Sequence, residues 1–397
     1  MDNISLDKVP IGAMKILSCY HEVQQILAGK MPVPRTMEFF LSNVCNHACA
    51  GCHSRYMHKN EDRFLDFDIL KDVVNDFADL GVEGVEISGG GEPLMYPQII
   101  PAVAFMRGKG LKVGIFSNGT LLTDELSEFL VQNLLFLRIA FDAGTASTYK
   151  KIHGRDDFDK LIRNLETVVR YKTIAANGKG GAEKAAGKGG AKKAAGKATA
   201  AKAAGKTAGE PEGQATPGRR LARQKFGTAT VGAKYLVSTK NWNELAQAAE
   251  KAREIGLDYL QYKALRASKF TLDEEMRKKA EEVAARAEGL SDKNFQVFGS
   301  LKKTKPIGRC FLNPIHPVVD AKGDMYLCAF FHHRKNTHKI GNIYEKSFPE
   351  IWYSERHFEA FRSTKPKECA VFDCPFHEAA VLARAWIVQN EKHLEFI

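Results

Sequence analysis

Short apolar runs alternate with segments of helical periodicity along most of this 397-residue chain, and this alternation constrains the fold more than any other feature. The pattern occurs six times between residues 38 and 290. Six strand-then-helix units in succession predict a parallel β-sheet covered by helices, and therefore an α/β protein. Ligand sites in such sheets lie at the C-terminal ends of the strands, so functional residues are expected in the loops that follow them. The predicted strands are Glu38–Ser42, Gly84–Ser88, Lys112–Ser117, Leu137–Phe141, Ala229–Ser238 and Tyr259–Leu265.

Three cysteines follow the first predicted strand. Cys45, Cys49 and Cys52 have the spacing C-x3-C-x2-C. Three thiolates this close in sequence can hold three corners of a cubane iron–sulfur cluster, which leaves one iron open to a small ligand. Zinc remains an alternative, because His47 or His53 could supply a fourth ligand.

A glycine-rich turn directly follows the second predicted strand. It consists of Gly89, Gly90, Gly91, Glu92 and Pro93. Glycines let a backbone approach a ligand closely, and the Glu92 carboxylate favours a cation or an amine as that ligand. The turn lacks the Gly-Lys-Ser/Thr ending of a phosphate-binding loop.

These motifs, in this order, resemble those of the radical S-adenosylmethionine (SAM) superfamily. The three cysteines resemble its cluster motif, and residues 89–93 resemble the turn that contacts the SAM amino group. Ser117 and Asn118 resemble its ribose-contacting segment, and Asp142 ends the strand that faces the SAM and substrate cavity. The resemblance covers roughly residues 37–290. It implies that the parallel sheet is a partial (β/α)6 barrel.

The resemblance also implies a reaction. A [4Fe–4S] cluster with three cysteine ligands would bind SAM at its open iron, and an electron from a flavodoxin- or ferredoxin-type donor would cleave SAM to a 5′-deoxyadenosyl radical. We expect a radical SAM oxidoreductase that abstracts hydrogen from a small molecule, such as a sugar or aminocyclitol, and so dehydrogenates or epimerises it. A maturase of ribosomal peptides or proteins is the alternative. The sequence identifies no catalytic acid or base.

Four further cysteines lie near the C-terminus: Cys310, Cys328, Cys369 and Cys374. Four thiols suffice to ligate one complete cluster, and a structural zinc is the alternative. The pattern resembles the SPASM/twitch extension of radical SAM enzymes. Since only four cysteines are present, the resemblance implies the shorter twitch form with one auxiliary [4Fe–4S] cluster.

Two cationic residues lie near the end of the sixth predicted strand, Lys263 within it and Arg266 directly after it. Lys263 and Arg266 point toward the catalytic face if that strand is assigned correctly. They could bind a carboxylate or hydroxyl group of the substrate, or the SAM carboxylate. His332 and His333, after Cys328, are candidates for lining the same cavity.

A basic, low-complexity insertion explains most of the net charge. Residues 178–220 carry +7 of the chain's formal +11. They are rich in Ala, Gly and Lys and contain no aromatic residue, so a disordered insertion is expected. A nucleic-acid partner is therefore not expected, although a zinc-stabilised nucleic-acid-binding protein remains a third hypothesis.

The remaining features define domains and location. We predict an N-terminal helical extension (1–36), the barrel with its insertion (37–293), and a small α+β auxiliary-cluster domain of SPASM/twitch type (294–397). No apolar run reaches the ~18 residues of a membrane span. The first residues lack the pattern of a signal peptide. A cytoplasmic enzyme with no membrane partner is expected.

Overall fold

The fold is a ten-stranded sheet with helices packed on one face. The computed structural model describes residues 16, 18–58, 63–186, 228–265, 268–302, 310, 313–328 and 335–365. The strands are β1 (Thr36–Phe40), β2 (Gly84–Ser88), β3 (Lys112–Ser117), β4 (Phe136–Ala140), β5 (Thr230–Val237), β6 (Tyr259–Ala264), β7 (Gln296–Ser300), β8 (Val318–Val319), β9 (Asp324–Tyr326) and β10 (Lys339–Asn342). The helices are α1 (Tyr20–Leu27), α2 (Arg55–His58), α3 (Phe67–Leu80), α4 (Ile99–Gly108), α5 (Asp124–Asn133), α6 (Ala146–His153), α7 (Phe158–Ala186), α8 (Leu245–Ile255), α9 (Glu274–Glu288), α10 (Lys335–His338), α11 (Phe348–Trp352) and α12 (Glu355–Arg362).

Strands β1 to β7 are parallel and pair in chain order. The parallel sheet predicted from the alternation is therefore confirmed. The structure adds a seventh strand, β7, after the point where the alternation fades in the sequence. At least one helix lies between each successive pair of these strands, as parallel pairing requires.

Helix α3 illustrates how the sequence sets the helix boundaries. Asp66 caps its N-terminus by accepting hydrogen bonds from the backbone N–H groups of Asp68 and Ile69. Gly81 ends the helix in the left-handed conformation, with φ of 87°. An aspartate at the first position and a glycine after the last are the preferred residues for these roles. The helix buries one apolar face, formed by Leu70, Val73, Val74 and Phe77.

Alternate residues along the parallel strands face opposite sides of the sheet. One set is apolar and is buried against the helical layer. Its members include Met37, Phe39, Val85, Ile87, Val113, Ile115, Leu137, Ile139, Val231, Ala233 and Leu260. This face supplies most of the hydrophobic core, as expected when helices cover a parallel sheet.

The other set of side chains lines a concave interior that we call the lumen. We define the lumen by Glu38, Glu86, Phe116, Arg138, Lys234, Gln261 and Lys263. Glu38 on β1 and Lys234 on β5 interact electrostatically. In a flat sheet, four strand spacings would separate these strands by about 19 Å. The sheet must therefore curve, which confirms the open, partial barrel.

The C-terminal strands extend the same sheet. β8 pairs in parallel with β1, where Val318 lies opposite Glu38, and β9 pairs antiparallel with both β8 and β10. The strand order is β10-β9-β8-β1-β2-β3-β4-β5-β6-β7. The sheet thus continues across residue 294, where the sequence predicts a domain boundary. Trp352 also ties this part to the N-terminal extension, since its indole N–H donates to the carbonyl of Pro32 at 2.7 Å.

Helix α7 is longer than the sequence predicts. The helical periodicity of the sequence extends to about Tyr171, whereas the helix continues to Ala186 and so includes the first nine residues of the predicted insertion. The extension contains five alanines, which favour a helix, and also Gly178, Gly180 and Gly181, which disfavour one. Residues 187–227 lie outside the described part of the chain, so the disordered insertion and the domain boundaries stay predictions. No helix in the described ranges is long and apolar enough to cross a bilayer.

Replacing Gly232 by Ala tests the packing inside the barrel. A Cβ atom at Gly232 would lie 2.2 Å from the ring of Tyr259, and this ring is fully buried. We expect a loss of about 1–3 kcal/mol in the free energy of unfolding, because an overpacked site forces neighbours out of position. Chemical denaturation measures the change.

Gly108→Ala is the matched control. This glycine ends α4, and no atom lies within 4 Å of the position its Cβ would take. The control should be neutral or stabilising by up to about 1 kcal/mol. Equal stability of the two variants would contradict the placement of the Tyr259 ring.

Candidate cofactor site

The loop that carries Cys45, Cys49 and Cys52 lies at the C-terminal end of β1. Its backbone is hydrogen-bonded to the C-terminal end of α6. The backbone N–H of Ala48 donates to the carbonyl of His153 at 3.1 Å, and that of Ala50 donates to Ile152 at 2.8 Å. The last carbonyls of a helix lack partners within the helix. The cysteine loop supplies those partners, so the loop and the helix end fix each other.

The glycine-rich turn packs directly on the cysteine loop. The N–H of Gly91 donates to the carbonyl of Ser42 at 2.6 Å, and that of Glu92 donates to Val44 at 2.8 Å. A Cβ atom at Gly91 would lie 2.1 Å from the carbonyl oxygen of Val44. A Cβ atom at Gly90 would meet the Asn43 side chain at 2.7 Å, and one at Gly89 would meet the carbonyl oxygen of Gly91 at 1.8 Å. Only glycines allow this approach.

Glu92 joins the glycine-rich turn to the end of β3. Its side chain is buried and accepts three hydrogen bonds: from the Ser117 hydroxyl (2.6 Å), the Asn118 backbone N–H (2.8 Å) and the Leu94 backbone N–H (3.1 Å). Burial raises the pKa of Glu92, and these donors oppose the shift. The structure therefore brings together three residues that the sequence predicted separately, Glu92, Ser117 and Asn118.

A closed ring of side-chain hydrogen bonds ties the cysteine loop to β3. Asn118 donates from Nδ2 to Asn46 Oδ1 (2.7 Å), Asn46 donates from Nδ2 to Thr120 Oγ1 (2.9 Å), and the Thr120 hydroxyl donates to Asn118 Oδ1 (2.8 Å). The sequence interpretation did not assign a role to Asn46. The position of Asn46 between two cysteines was the available signal.

The three thiols of the loop form a donor set that suits a cationic group. Burial raises the pKa of Cys45 to about 11 and raises that of Cys52 as well. The pKa of Cys49 is raised by burial and then by Cys52, Asp142 and Cys45. Protonated thiols crowded together become thiolates when a metal binds, because its positive charge offsets both burial and mutual repulsion. The residues present therefore fit an iron–sulfur cluster.

Two histidines surround Cys49. The Sγ atom of Cys49 lies 3.4 Å from His153 Nδ1, and the ring centroids of His47 and His153 are 5.4 Å apart. Ligand atoms of His47, Cys49 and His153 all lie within 4.8 Å of one another. His153 is therefore a second histidine that could bind zinc in the alternative zinc site. Burial lowers the pKa of His47 to about 4 and that of His153 to about 3, which leaves both neutral.

Asp142 lies at the end of β4 and faces His153. Its Oδ2 atom is 3.6 Å from His153 Nε2, and its Oδ1 atom accepts a hydrogen bond from the Leu236 N–H at 2.5 Å. Its φ of 49° lies in the left-handed region, which is uncommon outside glycine and tolerated by aspartate. Burial raises its pKa to about 6. Asp142 thus connects the end of β4 to β5 and to the surroundings of Cys49.

The C-terminal cysteines are described only in part. Cys310 is half-buried and its thiol donates to Asn313 Oδ1 at 3.3 Å, while Cys328 follows β9 and is also half-buried. None of the six described cysteines forms a disulfide. Cys369 and Cys374 lie outside the described residues, as do Arg266, His332 and His333. The auxiliary ligand set therefore stays a prediction.

The sequence interpretation missed most of the charged groups of the lumen. Glu38, Glu86, Arg138 and Lys234 each lie at the middle of a strand between apolar neighbours. His316 joins them, with its Nε2 atom 3.6 Å from Glu86 Oε2 and 4.0 Å from Glu38 Oε2. A charged residue flanked by buried apolar residues was the available signal, since strand neighbours face opposite sides.

Two family models match this chain. The model described as the radical SAM superfamily matches residues 39–176, and the model of the iron–sulfur cluster-binding SPASM domain matches residues 310–375. Together these matches cover just over half of the chain. The chain belongs to the radical SAM superfamily and carries a C-terminal SPASM domain. It is a radical SAM enzyme, and these families imply SAM and iron–sulfur clusters, including an auxiliary one.

Similar proteins include a curated relative and two solved structures. The GTP 3′,8-cyclase of Psychromonas ingrahamii is 30% identical over 143 residues, which are 34% of this chain and 42% of the relative. The chain therefore spans less than half the length of that relative. Streptococcus suis SuiB bound to precursor peptide SuiA is 14% identical with a TM-score of 0.59, covering 96% of this chain and 78% of that one. The anSMEcpe structure with bound AdoMet and Cp18Cys peptide is 15% identical with a TM-score of 0.55, covering 87% and 88%. At these identities, the two structures support the fold.

Replacing Glu92 by Gln tests the junction between the glycine-rich turn and β3. The amide NH₂ of Gln would face either the Asn118 N–H or the Ser117 and Leu94 donors. Because two donors cannot form a hydrogen bond, at least one hydrogen bond would be lost. We expect the free energy of unfolding to fall by about 1–3 kcal/mol, the cost of an unsatisfied buried polar group. Glu128→Gln, on the exposed face of α5, is the control and should change stability by less than about 0.5 kcal/mol. Equal denaturation curves for the two variants would argue against the hydrogen bonds at Glu92.

Proposed function

We propose that this enzyme cleaves SAM reductively at a [4Fe–4S] cluster held by Cys45, Cys49 and Cys52 and uses the product to oxidise a C–H bond of its substrate. When bound, the cluster and SAM supply the electron transfer and the 5′-deoxyadenosyl radical. The observation that carries this proposal is the backbone pairing between the cysteine loop and the glycine-rich turn. This pairing places the metal-binding thiols beside backbone groups that can approach a small polar ligand.

The protein's own residues bind, orient and exclude water. The three cysteines leave one coordination position of the cluster for the amino-acid end of SAM. Gly89, Gly90 and Gly91 have no side chains, so a ligand could approach the backbone of the turn closely. Ser117 and Asn118, held by Glu92 at the end of β3, would contact the ribose of SAM. Because the apolar face of the strands is packed against the helices, water can reach the site only from the lumen.

A peptide is the substrate class that the comparisons favour. The two solved structures share the fold over most of their length, and one is bound to a precursor peptide and the other to a Cp18Cys peptide. A small polar molecule, such as a sugar or aminocyclitol, is the second candidate. The charged lumen favours that candidate, because an ionisable wall suits a compact polar ligand. In both cases, we propose a flavodoxin- or ferredoxin-type protein as the electron donor.

We further propose that Cys310, Cys328, Cys369 and Cys374 hold one auxiliary [4Fe–4S] cluster of the twitch type. Four thiols complete the ligation of a cluster, which leaves no open iron for SAM. The auxiliary cluster would either accept one electron from the substrate radical left by hydrogen abstraction or position the substrate. The first role makes the net reaction a two-electron oxidation.

The triple variant Cys45→Ala, Cys49→Ala, Cys52→Ala tests the SAM site. After anaerobic reconstitution, it should lose about four of eight irons, one cubane cluster, and should form no 5′-deoxyadenosine under reduction. Iron and sulfide analysis together with chromatography measures both. The control is Cys19→Ala, a buried position beside α1, which should keep the full iron content and SAM cleavage. Continued 5′-deoxyadenosine formation by the triple variant would place the reaction elsewhere.

The double variant Cys310→Ala, Cys328→Ala tests the auxiliary site. It should also lose about four irons, yet it should still form 5′-deoxyadenosine, because the cysteine loop after β1 is untouched. Elemental analysis of the wild-type protein decides between metals. Zinc in place of iron, with no SAM cleavage, would instead support the zinc-stabilised nucleic-acid-binding hypothesis.

A further inference from the structure

The lumen of the barrel contains a group of basic residues that we call the basic wall. Arg138, Lys234 and Lys263 project into the lumen from β4, β5 and β6. Burial, followed by the charges of Arg138 and Lys263, lowers the pKa of Lys234 to about 8, while Asp142 and Glu38 oppose the shift. Arg138 and Lys263 therefore both repel the Lys234 cation. An anion placed among them would relieve that repulsion.

Arg138 is buried and keeps two donors available. Its side chain is 4% exposed, and its Nε and Nη2 atoms have no hydrogen-bond partner among the described residues. These two nitrogens form one edge of the guanidinium group. That edge donates two parallel hydrogen bonds, the arrangement that matches the two oxygens of a carboxylate.

Two aromatic rings hold the guanidinium in place without satisfying its donors. The Arg138 Cζ atom lies 5.4 Å from the ring centroid of Phe116 and 5.9 Å from that of Tyr259. Tyr259 reaches this position because its ring lies over Gly232, which has no side chain. Cation–π contacts of this kind fix the orientation of the group and leave its N–H edge open to a ligand.

The acidic wall on the other side of the lumen is already partnered. Glu38 accepts a hydrogen bond from the Ser88 hydroxyl at 2.5 Å, and His316 lies 3.6 Å from Glu86. The charge of Glu86 offsets part of the burial of the Arg138 guanidinium, yet no acceptor in the described residues takes a hydrogen bond from its Nε and Nη2 atoms. Because the acidic groups carry negative charge themselves, they also disfavour a dianion, such as a phosphate, in the same space.

We propose that the lumen binds a carboxylate group of the substrate, with the Nε and Nη2 donors of Arg138 in a bidentate contact and Lys234 beside it. The proposal rests on the proposed function, because it assigns the part of the substrate that is held while another part reacts. In a peptide substrate, the carboxylate belongs to an acidic side chain or to the C-terminus. In a small molecule, it is a free acid.

Three probes distinguish the sources of the carboxylate. Acetyl-glutamate methylamide represents an acidic side chain, acetyl-glycine represents a chain terminus or a free acid, and acetyl-glutamine methylamide is the neutral isostere. Binding to the full-length, anaerobically reconstituted protein is measured by saturation-transfer NMR without a reductant and before SAM is added. At least one acid should bind and the amide should not. Equal binding of acids and amide would overturn the proposal.

Variants locate the contact. Arg138→Gln should weaken binding of the acid at least tenfold, and Arg138→Lys should restore part of it, because the charge returns without the two-donor edge. Lys234→Gln should weaken binding less and provides an independent variant if Arg138→Gln fails to fold. The control, Arg163→Gln on the exposed side of α7, should bind as the wild type does. Unchanged binding in both the Arg138→Gln and Lys234→Gln proteins would overturn the proposal.

SAM itself carries a carboxylate, so competition is the remaining test. If excess SAM or methionine displaces the acid, the basic wall belongs to the cofactor and the proposal is wrong. Since no reductant is present, acid binding is read separately from SAM cleavage. A protein that binds the acid but forms no 5′-deoxyadenosine under reduction would contradict the proposed function and leave the carboxylate site intact.

Discussion

Two backbone hydrogen bonds hold the functional end of this barrel together. The N–H of Gly91 donates to Ser42, and the N–H of Glu92 donates to Val44. They bring the loop after β1 into contact with the turn after β2, and Glu92 then extends the connection to Ser117 and Asn118 after β3. Backbone donors in a buried region must find partners, so these bonds cannot be lost without cost. The positions of the three cysteines relative to the glycine-rich turn depend on this pairing, and so does every step assigned to the cofactor site.

The two faces of the sheet have different roles: the face toward the helices stabilises the fold, and the face toward the lumen carries the ionisable groups. The face toward the helices buries an almost entirely apolar set of side chains, and burial of this kind is the main source of folding free energy. Because that face provides the core, the lumen face can carry ionisable groups. In a closed eight-stranded barrel, the interior is filled by packed layers of side chains. In this protein, the sheet is open and the corresponding interior holds Glu38, Glu86, Arg138, Lys234 and Lys263 instead.

The sequence predicted those features that depend on short-range patterns. The bounds predicted for Gly84–Ser88 and Lys112–Ser117 agree with β2 and β3, because each is a compact apolar run between clear helical segments. The three-cysteine loop was recognisable because its ligands are seven residues apart at most. β8, with two residues, is too short to give a periodic signal. The contact of His153 with Cys49 spans 104 positions and depends on where α6 ends against the loop, which no local pattern records. The charged lumen residues gave an alternation signal, but their common face emerges only when the sheet curves.

The basic wall of the lumen is better explained by binding than by stability. Desolvating a guanidinium group costs several kcal/mol unless its donors are paired. The rings of Phe116 and Tyr259 return only about 0.5–2 kcal/mol each as cation–π contacts, and the Nε and Nη2 atoms of Arg138 remain without protein acceptors. Lys234 adds repulsion, and the charge of Glu86 offsets only part of the cost of burial. A leucine or methionine at position 138 would pack against the same two rings without that cost. A charged residue held rigidly at a place where it destabilises the protein is typical of a binding or catalytic site, and the open edge of the guanidinium indicates which chemical group completes it.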